Sequence, residues 1–417
     1  MENQRLQQAA PASSAFAPLR QPGFRMLWLV WLTANLTMWM NDVASAWLMT
    51  SLTNSAFMIA MVQSASTLPL FLLGLPSGAL ADMVDRRRYL ALTHVWVAGV
   101  AIVLAGLTFS GTLSAPLLLA CTFLNGIGMA MRWPLFAAIV PDLVPREELP
   151  AALALNGIAG NMSRIVGPVI AGALLAGAGS PYVYLLNAAL SMVSLVLILR
   201  WRPQPNASVL PSQHLVVAMR LGLQHVMQSP PLRIVLIRIF LFFLQSSALM
   251  ALLPLMALRL DRDGPAAFTS LLVALGVGAV FIAFNLNWLR CHASPHMMVG
   301  AGVCAHAVAS VVAALAPTMW LAAPAVAVAG MAWIATANSL TVAMQLALPN
   351  WVRARGMAIY LMAVMGGSAI GAAWWGYLAT LSSVPASIVT AAVLGPVAFL
   401  LSRHHGVGAN PGPTEED

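Results

Sequence analysis

Along the chain, apolar residues run in long blocks interrupted by short breaks rich in Gly, Pro or charge, with none of the strict alternation of a half-buried strand. Each block is close to the roughly 20 residues that a helix needs to cross the hydrocarbon of a bilayer. The breaks predict twelve helices, starting near Met26, Phe57, Tyr89, Ala115, Ala152, Tyr182, Ile234, Ala266, Met297, Met319, Gly356 and Pro385. The expected architecture is an all-α membrane protein.

The longest break, Trp201 to Leu232, contains Pro203, Pro205 and Pro211 and then a short amphipathic stretch from Leu215 to Met227. It falls after the sixth block and divides the chain six plus six. A shift of 204 positions superposes Gly126 on Gly330, Pro145 on Pro349, Ala154 on Ala358, Gly167 on Gly371 and Gly172 on Gly376, and a shift of 208 puts Arg25 on Arg233. This pattern predicts two homologous six-helix bundles with pseudo-symmetry, the parallel repeat found in transporters. The expected organisation is an N-terminal tail (1–22), a first bundle (23–200), a central loop (201–232), a second bundle (233–402) and a C-terminal tail (403–417).

Composition excludes a soluble fold. Of 417 residues 60% are hydrophobic and 8% charged, against about a quarter charged in soluble domains. All 20 basic residues are Arg, giving a formal net charge of +8, and their placement decides what that charge means. Fifteen flank one face of the predicted helices and only Arg259 and Arg262 flank the other. That asymmetry is a topology signal rather than a nucleic-acid footprint, and it places both tails in the cytoplasm of an inner-membrane protein. The N-terminal 20 residues have no apolar core and are not expected to be a cleavable signal peptide. Cys121, Cys291 and Cys304 have no metal-type spacing and are expected to pack, and the His residues look mostly peripheral. No nucleophile elbow, His-rich cluster or pair of intramembrane carboxylates suggests an enzyme, and no cofactor is expected beyond a proton gradient as energy source.

Charges within spans carry the chemistry, because each costs about 2.5 to 3.5 kcal/mol at a helix centre on insertion scales. At about 1.5 Å per residue from the Arg-rich ends, Arg238 lies about 6 Å deep, Arg132 about 12 Å, Arg164 about 18 Å and Asp42 about 24 Å. Arg238 is shallow enough to snorkel. Arg132 and Arg164 need a cavity or a partner. Asp42 is the only acidic residue well inside a span, hence the candidate for proton coupling. Burial favours a protonated carboxyl and a nearby guanidinium a charged one, and a coupling site exploits that competition. Asn35, Asn41, Asn125, Gln245, Asn338 and Gln345 could line a cavity or bond between helices. Trp39, Trp133 and Trp333 offer flat surfaces for an aromatic ligand.

Gly78-Ala79-Leu80-Ala81-Asp82-Met83-Val84-Asp85-Arg86-Arg87-Arg88, between the second and third spans, resembles the signature of the major facilitator superfamily. Gly78, Asp82 and Arg86 match it, whereas Met83 and Asp85 stand where the family carries Arg and Gly. The resemblance implies a cytoplasmic latch, which Asp142 would complete with Arg86. In the fifth span Gly160, Gly167, Pro168, Ala171 and Gly172 resemble the Gly-Pro element of proton-driven exporters, with Ala171 replacing one Gly. Proline frees a backbone carbonyl and the glycines allow close contact, so Gly167, Pro168 and Gly172 form a candidate hinge. In the fourth span, Asn125-Gly126-Ile127-Gly128 resembles a further element, but the usual Arg three residues earlier is Thr122.

Further runs resemble the transmembrane secretion effector, or enterobactin exporter, subgroup: Phe24-Arg25 with Asn41-Asp42 and Trp47-Leu48, Pro141-Asp142-Leu143-Val144-Pro145, Arg164-Ile165-Val166-Gly167-Pro168, Leu186-Asn187-Ala188 and Val352-Arg353-Ala354-Arg355-Gly356. The resemblance implies a twelve-helix export protein, and the expected activity is that of a monomeric secondary transporter that exports a small molecule by alternating access and proton antiport. Two deep Arg against one Asp point to an anionic, siderophore-like substrate. Uptake or facilitated transport by the same fold, and a transporter-like sensor or non-transporting membrane protein, stand as the alternatives.

Overall fold

The computed structural model describes residues 16–201, 224, 226–261, 265–349 and 352–401. The expected tails lie largely outside the described residues, as do most of the central loop and Arg262. Among the described residues there are twelve long helices: α1 (Pro22–Leu52), α2 (Ala56–Met83), α3 (Arg86–Phe109), α4 (Ala115–Leu143), α5 (Leu149–Gly177), α6 (Ser180–Arg200), α7 (Pro230–Leu260), α8 (Ala266–His292), α9 (Pro295–Leu315), α10 (Met319–Ala347), α11 (Arg353–Leu381) and α12 (Val384–Leu401). Eleven helices are long and apolar enough to cross a membrane. The exception, α1, is 31 residues long but carries Asn35, Asn41 and Asp42 in its interior.

Several helices begin two to four residues before the apolar blocks do. Hydropathy marks the part of a helix that is buried, whereas the helix itself starts at its cap. Proline occupies the first helical turn of α1, α4, α5, α6, α7 and α9, where its missing N–H costs nothing. Asp85, a departure from the superfamily signature, caps α3 by accepting a bond from the Arg88 backbone N–H at 2.8 Å. In the central stretch residues 224 and 226–228 are helical, and Val226 is buried against the second bundle.

The two halves repeat each other physically, not only in sequence. At Gly167 a Cβ would lie 2.7 Å from the Trp39 Cβ, so α5 lies directly on α1. At Gly371, one repeat later, a Cβ would lie 2.9 Å from the Leu244 Cα, so α11 lies on α7 in the same way. Gly172 and Gly376 repeat the relationship across the halves, the first abutting Thr269 of α8 and the second Ala60 of α2.

The Arg-bearing helix ends, from Arg25 on α1 to Arg353 on α11, lie at one end of the molecule, except Arg259 in the last turn of α7. At the opposite end a single apolar core draws on all twelve helices, including Met49, Ile59, Leu118, Leu252, Leu271 and Trp375. Trp47 of α1 stacks on Phe268 of α8 there, with centroids 6.0 Å apart. Ser64 of α2 donates to the Ala369 carbonyl of α11 at 2.7 Å. At the Arg-rich end the cores are separate. Leu27, Leu90, Leu135 and Ile198 form one in the first half, while Ile239, Phe242, Met344 and Phe399 form another in the second. The halves are therefore joined at the Arg-poor end and part at the Arg-rich end.

Candidate functional site

The parting ends where α5 of the first half meets α10 of the second. The Arg164 guanidinium carbon lies 5.1 Å from the Trp39 ring centroid and 4.4 Å from that of Trp333. Trp333 is in turn held edge-on by Phe243 of α7 at 5.6 Å. The Gly167 contact brings α5 close enough to α1 for Arg164, one turn earlier, to reach Trp39. Each cation–π contact is worth about 0.5 to 2 kcal/mol, depending on desolvation. One guanidinium nitrogen of Arg164, Nη1, is buried and has no hydrogen-bond partner among the described residues. Toward the Arg-rich end on the same face of α5, a Cβ at Gly157 or Gly160 would meet nothing within 4 Å. Arg164 thus forms the floor of an opening between the halves.

Asp42 follows Trp39 by three residues and Asn35 precedes it by four, which puts all three on one side of α1. Asp42 is half-buried and makes no ion pair or hydrogen bond among the described residues. Asn35 is buried and donates to the Trp31 carbonyl of its own helix at 2.8 Å.

Arg132 is not at this opening. It is 2% exposed inside the first half, donates to the Ala34 carbonyl at 3.2 Å and contacts the Met129 sulfur. It lines a narrow cleft with Thr37 and Asn41 of α1, Asn125 of α4 and Asn187 of α6. The second half has a cleft between the corresponding helices, lined by Arg238 and Gln245 of α7, Leu340 of α10 and Phe399 of α12. Arg238 does not snorkel: it is 7% exposed and its guanidinium lies 5.3 Å from the Phe399 ring centroid. Lateral depth, set by the helices packed around a residue, overrides depth along the helix. Asn338 joins neither cluster and accepts a bond from Arg290 near the Arg-rich end. Thr122 bonds back to the Leu118 carbonyl at 2.8 Å and supplies no charge.

At the Arg-rich end of the first half, Arg86 pairs with Asp142, joining the start of α3 to the end of α4. Arg87 donates to the Ile198 carbonyl at 3.2 Å and to that of Leu199, capping α6. These contacts stay within one half. Gly78 and Asp82 lie in the last turns of α2, and the Asp82 side chain falls outside the described residues. α5 runs unbroken through Pro168.

Sequence reasoning missed the buried histidines. His94 of α3 and His306 of α9 are 1% and 4% exposed. Helical spacing carries the signal, since His94 shares the buried face of Leu90, Val97, Ala98 and Ala101. All three cysteines are free, and Cys291 and Cys304 are exposed rather than packed.

The sequence pattern of the transmembrane secretion effector family matches residues 13–407. The chain belongs to that family. Among curated relatives, it is 25% identical over 371 residues to the enterobactin exporter EntS of Shigella boydii, covering 88% of this chain and 87% of that one. It is 29% identical over 162 residues to the staphyloferrin A transporter of Staphylococcus aureus, and 26% identical over 151 residues to macrolide efflux protein A of Streptococcus pyogenes. Those two alignments span 39% and 36% of this chain, and 41% and 37% of the relatives' own lengths. Among solved structures, a bacterial homolog of the human lysosomal transporter Spinster, in an inward-facing and occupied conformation, superposes with a TM-score of 0.77. It is 15% identical and covers 95% of this chain and 99% of its own. The E. coli fucose:proton symporter superposes with a TM-score of 0.63 at 14% identity, over 92% and 98% of the two chains. The fold of this secretion effector is the major facilitator fold, a multi-pass membrane architecture of transporters and not of enzymes.

Proposed function

We propose that this secretion effector exports a small anionic organic molecule across the inner membrane by alternating access, with its Arg-rich end and both termini in the cytoplasm. The observation that carries the reading is Arg164, clamped between Trp39 of one half and Trp333 of the other at the floor of the opening, with an unpaired guanidinium nitrogen. An anionic head would bond that nitrogen, and a planar ring would stack against the indoles. A catecholate or carboxylate of siderophore type has both features, and the relatives named for enterobactin and staphyloferrin A support that class.

Asp42, near the same floor and without a cation partner, is proposed as the proton carrier of an antiport cycle. Fifteen Arg against two support the orientation. Arg86 and Asp142 supply half of a latch that Asp82 would complete when the Arg-rich end closes, and α5 around Gly167, Pro168 and Gly172 would flex as it does so. No partner chain is required; the monomer and its lipid suffice.

The test uses 2,3-dihydroxybenzoate, a catechol-bearing anion, titrated into purified protein while Trp fluorescence is followed. Arg164→Gln is expected to weaken binding at least about tenfold, the loss of one charge-assisted bond and its stacking. Equal affinity in the wild type and the variant would overturn the placement of the substrate at Arg164. Accumulation of the same probe in inverted proteoliposomes, dependent on a pH gradient, tests direction and coupling.

A further inference from the structure

The cleft inside the first half contains a guanidinium without a counter-charge. Arg132 is among the most buried polar residues in the molecule, and its two contacts, the Ala34 carbonyl and the Met129 sulfur, are both neutral. A guanidinium carries five N–H donors, so most of its capacity is left over. No ion pair to Arg132 exists among the described residues. Asp42 adjoins Asn41 in sequence, yet it is not among the residues lining the cleft.

Two further groups in the same cleft are unsatisfied. Asn41 is 4% exposed and its Nδ2 has no partner, while Asn187 is 2% exposed and its Oδ1 has none. Thr37 spends its hydroxyl proton on the Ala34 carbonyl at 3.0 Å. His94, nearby on α3, directs Nδ1 at the Leu90 carbonyl at 3.0 Å, so that nitrogen donates and the unpaired Nε2 of the neutral ring is an acceptor. The free donors are therefore those of Arg132 and the Asn41 amide, joined by Asn125, whose side chain also lines the cleft.

Size narrows the ligand. The cleft has room for about one water-sized occupant, far less than an organic substrate needs. A neutral water would fill the volume but leave the charge uncompensated, and buried charges are paired.

We propose that the cleft between α1, α3, α4 and α6 binds a single small monovalent anion of halide size, held by Arg132 and the Asn41 side-chain amide. The ion is a resident of the first half rather than cargo, since its site lies within one bundle and not between the two. It neutralises Arg132 where no described residue supplies a carboxylate.

The test compares chloride and bromide with gluconate, an anion too large for the cleft, on full-length purified protein at constant ionic strength. Chloride or bromide is expected to raise Tm by at least about 2 °C in a saturable manner. A bromide-soaked crystal should show anomalous density beside Arg132. Arg132→Gln should abolish the halide response. Because that variant leaves a polar group buried and risks misfolding, Asn41→Asp is the second arm, placing a carboxylate where the anion sits. It should hold, without any halide, the stability that the wild type reaches only at saturating chloride. An identical wild-type Tm across the halide and gluconate titrations, or an Asn41→Asp variant that still responds to chloride as the wild type does, would overturn the proposal. A crystal with only water in the cleft would do the same.

Discussion

The side-chain amide of Gln245, on α7, occupies the space that a Cβ at Gly395, on α12, would need. Gln245 is 3% exposed and neither of its amide atoms has a hydrogen-bond partner among the described residues. One repeat earlier, 204 positions back, stands the shorter Asn41. The longer side chain in the second half reaches farther, and glycine on the neighbouring helix is what accommodates it.

Gly395→Ala should therefore destabilise the second half by about 1 to 3 kcal/mol, the usual cost of overpacking. Gln245→Ala in the same chain should recover much of that loss, because the two residues compete for one space. Thermal unfolding of the two single variants and the double variant checks it. Additive losses would mean that the pair is not coupled.

Replacing Trp333 by Leu removes the closer of the two rings on Arg164 while leaving an apolar residue in its place. Binding of an aromatic anion should fall about 3- to 30-fold, matching one cation–π contact. Trp133→Leu is the control: its ring lies against Trp31 at 5.9 Å rather than against Arg164, so the same titration should be unchanged.

Asp42→Asn keeps the shape of the side chain and removes its titration. Export driven by a pH gradient should stop, while exchange of labelled for unlabelled substrate, which needs no net proton movement, should continue. Reconstituted vesicles measure both on one preparation. Gradient-driven export at the wild-type rate would remove Asp42 from coupling.

Gly160→Cys places a thiol on the open face of α5. A membrane-impermeant maleimide is expected to label it from the Arg-rich side. Adding Gly172→Val drives a side chain into Thr269 at the joined end and shifts the population toward the state open there, which should slow labelling about tenfold. Unchanged labelling would mean that the α5–α8 contact does not govern the opening.

The architecture was legible because membrane burial writes itself as long apolar blocks, and because Gly167 and Gly371 repeat both in sequence and in what they touch. The site was legible only in part. Depth along a helix ranks Arg238, Arg132 and Arg164 in order but does not say that the first lies in the second bundle, the next in the first bundle and the last between the bundles. What separates them is the direction each side chain takes around its helix and which helix lies there, and no pattern within one helix records its neighbour. The pairing of Arg290 with Asn338 was hidden for the same reason. Asp85, which looked like a lost glycine, has a role as a helix cap that becomes visible only once α3 is seen to begin at Arg86.

Two ends of this molecule answer to different solvents. The joined end is shut by Trp47 on Phe268 and by the packed core around Trp375, contacts without net charge, whereas the parted end is ringed by guanidinium groups. A simple electrolyte such as sodium chloride screens charge and does little to apolar contact. Ionic strength is thus a handle on one side of the membrane alone: it changes how readily the Arg-rich rims approach each other and has no purchase on the seal behind them.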